Sequence, residues 1–114
     1  AFWLGVYPAL AGLDGFLRWA WNSWPKDPSE DASFGFWKAG DTFLCYPNGE
    51  PSWRFLELRN GIATAEKLTI LRKDIRLAEE LARLTKLYSL PEALQGKSNF
   101  QWLEDEAKRV VNRY

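Results

Sequence analysis

Between Gly15 and Ile62 the chain reads GFLRWAWNSWPKDPSEDASFGFWKAGDTFLCYPNGEPSWRFLELRNGI, and this stretch limits the choice of fold more than any other. Two short aromatic runs, Phe16–Trp21 and Thr42–Tyr46, have the make-up of strands, and each ends in a loop rich in Trp, Asn, Pro and Gly. Apolar residues on both faces of the first run fit a parallel strand covered on each side. Asn22–Asp41 is a long connection punctuated by Pro25, Pro28, Gly35 and Gly40, with Phe34–Trp37 as one helical turn inside it. Pro47-Asn48-Gly49 is a turn signal, and Ser52 behind it is a helix N-cap. Strand, loop and helix in this order, with polar and aromatic residues at the strand ends, is how an α/β barrel presents a binding face. The expected fold class is therefore α/β, the C-terminal portion of a (β/α)8 barrel with two strands, followed by long antiparallel helices.

Helical periodicity dominates the rest. Residues 2–12 read as a short apolar helix, and Gly12–Gly15 as a turn. Behind Ser52, residues Phe55, Leu58, Ile62, Ala65, Leu68, Leu71, Ile75, Ala78 and Leu81 recur at helical spacing, which predicts one buried stripe on a mostly helical Trp53–Tyr88. Ile75 lies on that stripe, so Ile75→Asp is expected to bury an unpaired charge and to be severely destabilising. Gly61 interrupts the pattern at a cost of about 1 kcal/mol against Ala, and marks either a close backbone approach or a break. Ser89-Leu90-Pro91 opens a short turn of helix that runs to Leu94 and is stopped by Gly96. Ser98-Asn99-Phe100-Gln101 is a capping box for a last helix with Leu103, Ala107, Val110, Val111 and Tyr114 on one face. Amphipathic helices with a short connection should pack antiparallel. Residues 1–62 thus read as strands, loops and a first helix turn of a barrel, and as the terminal part of a catalytic domain only on the family resemblance set out below. Residues 63–114 read as closing amphipathic helices of the same domain.

Composition removes several function classes. Lys+Arg and Asp+Glu each number 15, so no basic surplus argues for nucleic acid. Histidine is absent, which excludes His triads, His metal ligands and a His general base within this chain. Cys45, the single cysteine, can form no internal disulfide and reads as a small buried thiol in an apolar run. The longest apolar run, around Phe2–Leu13, is broken by Gly5, Pro8 and Gly12 and is too short to span a bilayer. No metal or cofactor is expected. The opening Ala-Phe-Trp, without Met, reads as a segment of a longer protein.

Three ordered motifs carry a resemblance. LRWAWNSW (Leu17–Trp24), AGDTFLCYPNG (Ala39–Gly49) and SWRFLELRNGI (Ser52–Ile62) resemble the C-terminal part of glycoside hydrolase family 123 and of the related bacterial proteins with domain of unknown function 4091. Trp21 stands where that pattern commonly has Tyr, and Glu57 keeps the Glu of its helix. After Ile62 this chain has Ala63-Thr64-Ala65-Glu66 where many relatives have an extra acidic residue. The resemblance implies a TIM-barrel glycosidase acting on β-linked N-acetylgalactosamine, in a bacterial periplasm or outside the cell. It implies a substrate-assisted retaining mechanism in which the acetamido oxygen attacks the anomeric carbon and an Asp-Glu pair assists. The Asp-Glu steps here, Glu30-Asp31 and Asp105-Glu106, lack the family context. No catalytic residue is assigned, and the isolated chain is expected to be inactive.

The candidate substrate-binding residues are Trp21, Asn22, Trp24, Tyr46, Asn48 and Arg54. Tryptophans beyond a barrel strand can stack on a sugar ring, and Asn can meet hydroxyls in both directions. Trp21 and Trp24 stand open between stacking and core roles, whereas Trp19 reads as a core filler. Tyr46 could place a phenol near an acetamido group. Arg54 could pair with Glu57 one turn away, reach a ligand, or support the loop above it. The partner expected is an N-acetylhexosamine-containing glycan, with the remainder of the barrel or a self-association partner covering the apolar faces. The alternatives are a non-catalytic carbohydrate-binding module and a helical protein-interaction module built on residues 63–114.

Overall fold

The computed structural model describes residues 1–75, 78–88, 91, 95–96 and 99–113. Ser89, Leu90, Leu94, Ser98 and Tyr114, which figure in the expected short turn, capping box and last helix, lie outside the described residues. Among those described there are four named helices: α1 (Phe2–Ala11), α2 (Trp53–Leu71), α3 (Ala78–Leu87) and α4 (Phe100–Asn112). No strand is present among them. None of these helices is long and apolar enough to cross a membrane.

Backbone contact between α1 and α2 organises the molecule. A Cβ on Gly5 would stand 2.5 Å from the Gly61 carbonyl carbon, and one on Gly61 would overlap the Phe2 carbonyl oxygen. Two glycines face each other where the helices cross, so the backbones themselves touch. Gly61 therefore marks a close approach within a continuous helix. The crossing drops Phe2, Val6 and Leu10 onto Leu68, and Leu81, Leu84, Val110 and Val111 close the same buried cluster from α3 and α4. Gly12 ends α1 in the left-handed region at φ 72°, and Arg72 donates to the Leu10 carbonyl at 3.2 Å, tying the two C-terminal ends together.

The strand expectation is corrected. The fold is all-α with long irregular loops, and it is not a two-strand portion of a barrel. Phe16–Trp21 and Thr42–Tyr46 meet at a single antiparallel bridge, Asn22 to Phe43, through Leu44 N–H to the Trp21 carbonyl (2.8 Å) and Ser23 N–H to the Thr42 carbonyl (3.0 Å). A parallel strand needs a continuous ladder to a neighbour, and neither run finds one here. The first run also is not buried: Leu17 is 96% exposed, and Trp19, expected in the core, is 56% exposed and stacks on Trp37 at 4.8 Å. Only the second run is covered, with Thr42, Phe43 and Leu44 buried beneath the loops. Phe34–Trp37 is a tight turn about Gly35 (φ 61°), closed by Trp37 N–H on the Phe34 carbonyl at 3.2 Å, where a helical turn was expected.

The expected Trp53–Tyr88 helix is divided. Ser52 caps its start as read from sequence, accepting the Phe55 N–H at 3.4 Å. After Leu71 the hydrogen bonds tighten to i→i+3, from Lys73 to Ile70 and from Asp74 to Leu71, which twists the following residues off the stripe. Buried positions of α2 are Leu58, Gly61, Thr64 and Leu68; Ile62 is half-exposed and Ile75 is 87% exposed. The stripe thus turns by one residue so that small Gly61 and Thr64, rather than Ile62 and Ala65, are the buried positions, with Gly61 against α1. On α4, Asn99 is the cap, its side chain accepting the Trp102 N–H at 3.0 Å.

Helices α3 and α4 are joined by charge. Glu106 accepts from Arg83 and, at 2.9 Å, from Arg109, which also reaches Glu80 at 2.8 Å. Hydrogen bonds from Arg109 first and Arg83 second hold the Glu106 carboxyl down at about 2, against an ordinary 4.5.

Three outcomes follow from this packing. Gly61→Ala should lower stability by at least about 2 kcal/mol, because its methyl meets backbone that cannot rotate away; urea unfolding against the parent measures it. Ile75→Asp, expected from sequence to be ruinous, should change stability by less than about 0.5 kcal/mol, since the side chain stands in solvent. The Glu106 carboxyl is depressed in the fold, so its contribution is complete above pH 4.5 and is lost as pH falls through about 2. An acid titration followed by helical circular dichroism should show that loss, and Glu106→Gln should remove it.

Candidate functional site

Ser52 starts α2 directly beneath the second loop, and the loops are fastened to one another above it. Ser52 N–H donates to the Leu44 carbonyl at 2.9 Å, and Cys45 bridges Pro51. Tyr46 N–H donates to Glu50 at 2.8 Å and Gly49 N–H to Tyr46 at 2.9 Å, closing the Pro47-Asn48-Gly49 turn seen in the sequence. Gly49 takes φ 86°, a conformation that favours glycine. The Asn48 side-chain oxygen accepts the Glu50 N–H at 3.1 Å, which leaves its amide N–H₂ free to face outward.

The first loop stands opposite. The Asp27 carboxylate accepts the Ser29 and Glu30 N–H groups at 3.2 and 3.4 Å, so that Lys26–Ser29 forms a stable turn around buried Pro28. Between the two turns lies an open cleft of about 500 Å³, lined by Lys26, Asp27, Ser29, Tyr46, Asn48 and Glu50 together with the two prolines. Trp24 joins its walls: its indole N–H donates to the Cys45 carbonyl at 2.7 Å. Residues carrying phenol, amide, hydroxyl, ammonium and carboxylate groups thus line one opening.

Of the six sequence-predicted residues, Tyr46 and Asn48 share the cleft. Trp24 binds the loops together at its edge. Asn22 stands at the bridge to Phe43. Arg54 lies under the loops, its guanidinium 5.4 Å above the Phe43 ring and filling the space beside Gly40. Trp21 is elsewhere. Its ring meets Phe55 edge-on at 6.0 Å in a separate groove of about 230 Å³ with Leu58, Arg59 and Ile62, and that groove is almost wholly apolar. Lys26, Asp27, Ser29 and Glu50 were not singled out from sequence. The signal was present in Asp27-Pro28-Ser29 as turn chemistry, but which loop it would face is a tertiary matter.

In each Asp-Glu step one carboxylate has a fixed hydrogen-bond partner. Asp31 accepts the Ser33 N–H at 2.8 Å, and that bond holds its carboxyl below the usual range. Glu106 is committed to Arg83 and Arg109. A general acid working near neutral pH needs the opposite displacement. Among the described residues no group of three or more His, Cys, Asp or Glu gathers to hold a metal ion.

Comparison with known proteins gives a family match. Residues 1–71 fit the model for the glycoside hydrolase 123 catalytic domain. No curated protein and no solved structure matches the chain.

Proposed function

The chain belongs to glycoside hydrolase family 123 through residues 1–71, and on that premise we propose that it contributes a sugar-binding cleft to a glycosidase of the β-N-acetylgalactosaminidase type. The observation that carries this reading is that the matched span contains every residue of the Lys26–Ser29 and Tyr46–Glu50 cleft. Tyr46 offers a ring edge and a phenol, Asn48 an unspent amide donor, and Ser29 a hydroxyl, which suits a pyranose carrying an acetamido group. In a substrate-assisted reaction the acetamido oxygen is the nucleophile, so the protein must orient that group and supply an acid. This chain takes the orienting part.

Affinity in so open a cleft is weak, on the order of millimolar for a monosaccharide binding at about −0.3 kcal/mol per heavy atom. Titration of N-acetylgalactosamine into the labelled chain should move the Tyr46 and Asn48 amide resonances, and Asn48→Ala should reduce the effect. Shifts confined to residues 63–114 would instead favour the helical interaction module. Nitrophenyl β-N-acetylgalactosaminide should not be hydrolysed by the chain alone. Turnover that disappears on replacing one of its carboxylates would overturn the reading.

A further inference from the structure

We propose that Trp24 and Arg54 are positioning residues that grip the Phe43–Tyr46 segment from two sides and thereby set where Tyr46 and Asn48 stand in the cleft. The inference rests on the reading of that cleft as the sugar site; it takes the loop-support role among those open to Arg54 and gives Trp24 a supporting role in place of stacking on the ligand.

An indole has one N–H and no acceptor. In Trp24 that donor is already given to the Cys45 carbonyl at 2.7 Å, so it is not available to a sugar hydroxyl. The bond spans from the loop after the first aromatic run to the residue before Tyr46, and so ties the two loops together beside the cleft.

Arg54 works from beneath. Its helix start is held by the Ser52 cap, and its guanidinium lies against the Phe43 ring with Cζ 5.4 Å from the centroid. Phe43 is fully buried, and its ring in turn packs against Tyr46 with centroids 5.4 Å apart. The contacts therefore run in line from Arg54 through Phe43 to Tyr46. Gly40 belongs to the same device: it takes φ 73°, and a Cβ there would overlap the guanidinium. The Arg54 Nε is buried and finds no acceptor among the described residues, so ring stacking, more than hydrogen bonding, holds the group. A planar guanidinium supplies such a face and an ammonium does not.

The test uses the full chain, with Trp24→Phe, Arg54→Met and Arg54→Lys, and N-acetylgalactosamine as the probe. Without sugar, each variant should speed amide exchange at Tyr46 and Ser52 by about tenfold, while Leu58 and Leu68 in α2 keep the parent rates. Arg54→Lys should recover little of the loss, since it restores charge without a flat face. With sugar, the Trp24 indole resonance of the parent should stay still while the Tyr46 and Asn48 amides move. Affinity of the variants should fall by roughly three- to tenfold, the effect of losing one supporting hydrogen bond or stack. Unchanged exchange at Tyr46 and Ser52, or full recovery by Arg54→Lys, would overturn the proposal. So would a sugar-induced shift at the Trp24 indole or the Arg54 Nε larger than that at Tyr46, because both groups would then touch the ligand. If the parent binds no sugar, the cleft reading fails, and the exchange rates still decide whether Trp24 and Arg54 position the segment.

Discussion

Contact between the backbones of α1 and α2 is the constraint on which the rest depends. Glycine at both 5 and 61 removes the side chains that would hold two helices at their usual separation. Once the helices meet that closely, Phe2, Val6 and Leu10 are delivered to one side of α2, where Leu68 and the apolar faces of α3 and α4 complete the core. The same approach selects the small residues Gly61 and Thr64 for the buried line of α2 and leaves Ile62 half-exposed. The 1 kcal/mol or so that a helical glycine costs is offset by the packing it admits.

The loops depend on this helix pair through Ser52. Its side chain caps α2 and its N–H anchors Leu44, so the helix start and the second aromatic run share one residue. From there, Thr42 reaches the Ser23 carbonyl at 2.6 Å and Trp24 reaches Cys45, which draws the first loop over the second. The cleft between Lys26–Ser29 and Tyr46–Glu50 results from these few cross-loop bonds. The cleft lies within the span that matches the glycoside hydrolase family and is lined by polar residues, while the groove at Trp21 is almost wholly apolar.

Large exposed aromatic side chains accompany this arrangement. Trp19, Phe36 and Trp37 stack in file at 4.8 and 4.7 Å with much of their surface in solvent. Strand-like composition without a ladder explains their exposure: residues such as those of Phe16–Trp21 bury their side chains only when neighbouring strands hold both faces. Here the hydrogen bonding of that run is concentrated at its end, around Trp21 and Asn22.

Local chemistry was decided by the sequence. The Ser52 cap, the Pro47-Asn48-Gly49 turn, the end of α1 at Gly12 and the significance of Gly61 were all legible, because each depends on one to four neighbouring residues. The family was legible too, from three motifs within the matched span. Tertiary structure alone decided whether the aromatic runs would be strands, since a strand is defined by its partners and composition cannot supply them. It also decided that Ile75 leaves the helical stripe, because two tightened hydrogen bonds after Leu71, from Lys73 and from Asp74, rotate the chain and periodicity cannot register that rotation. The same holds for the six candidate residues. Sequence chose them for their chemistry, but only the cross-loop bonds brought Tyr46 and Asn48 to one opening, set Trp24 and Arg54 behind them, and left Trp21 in a different groove.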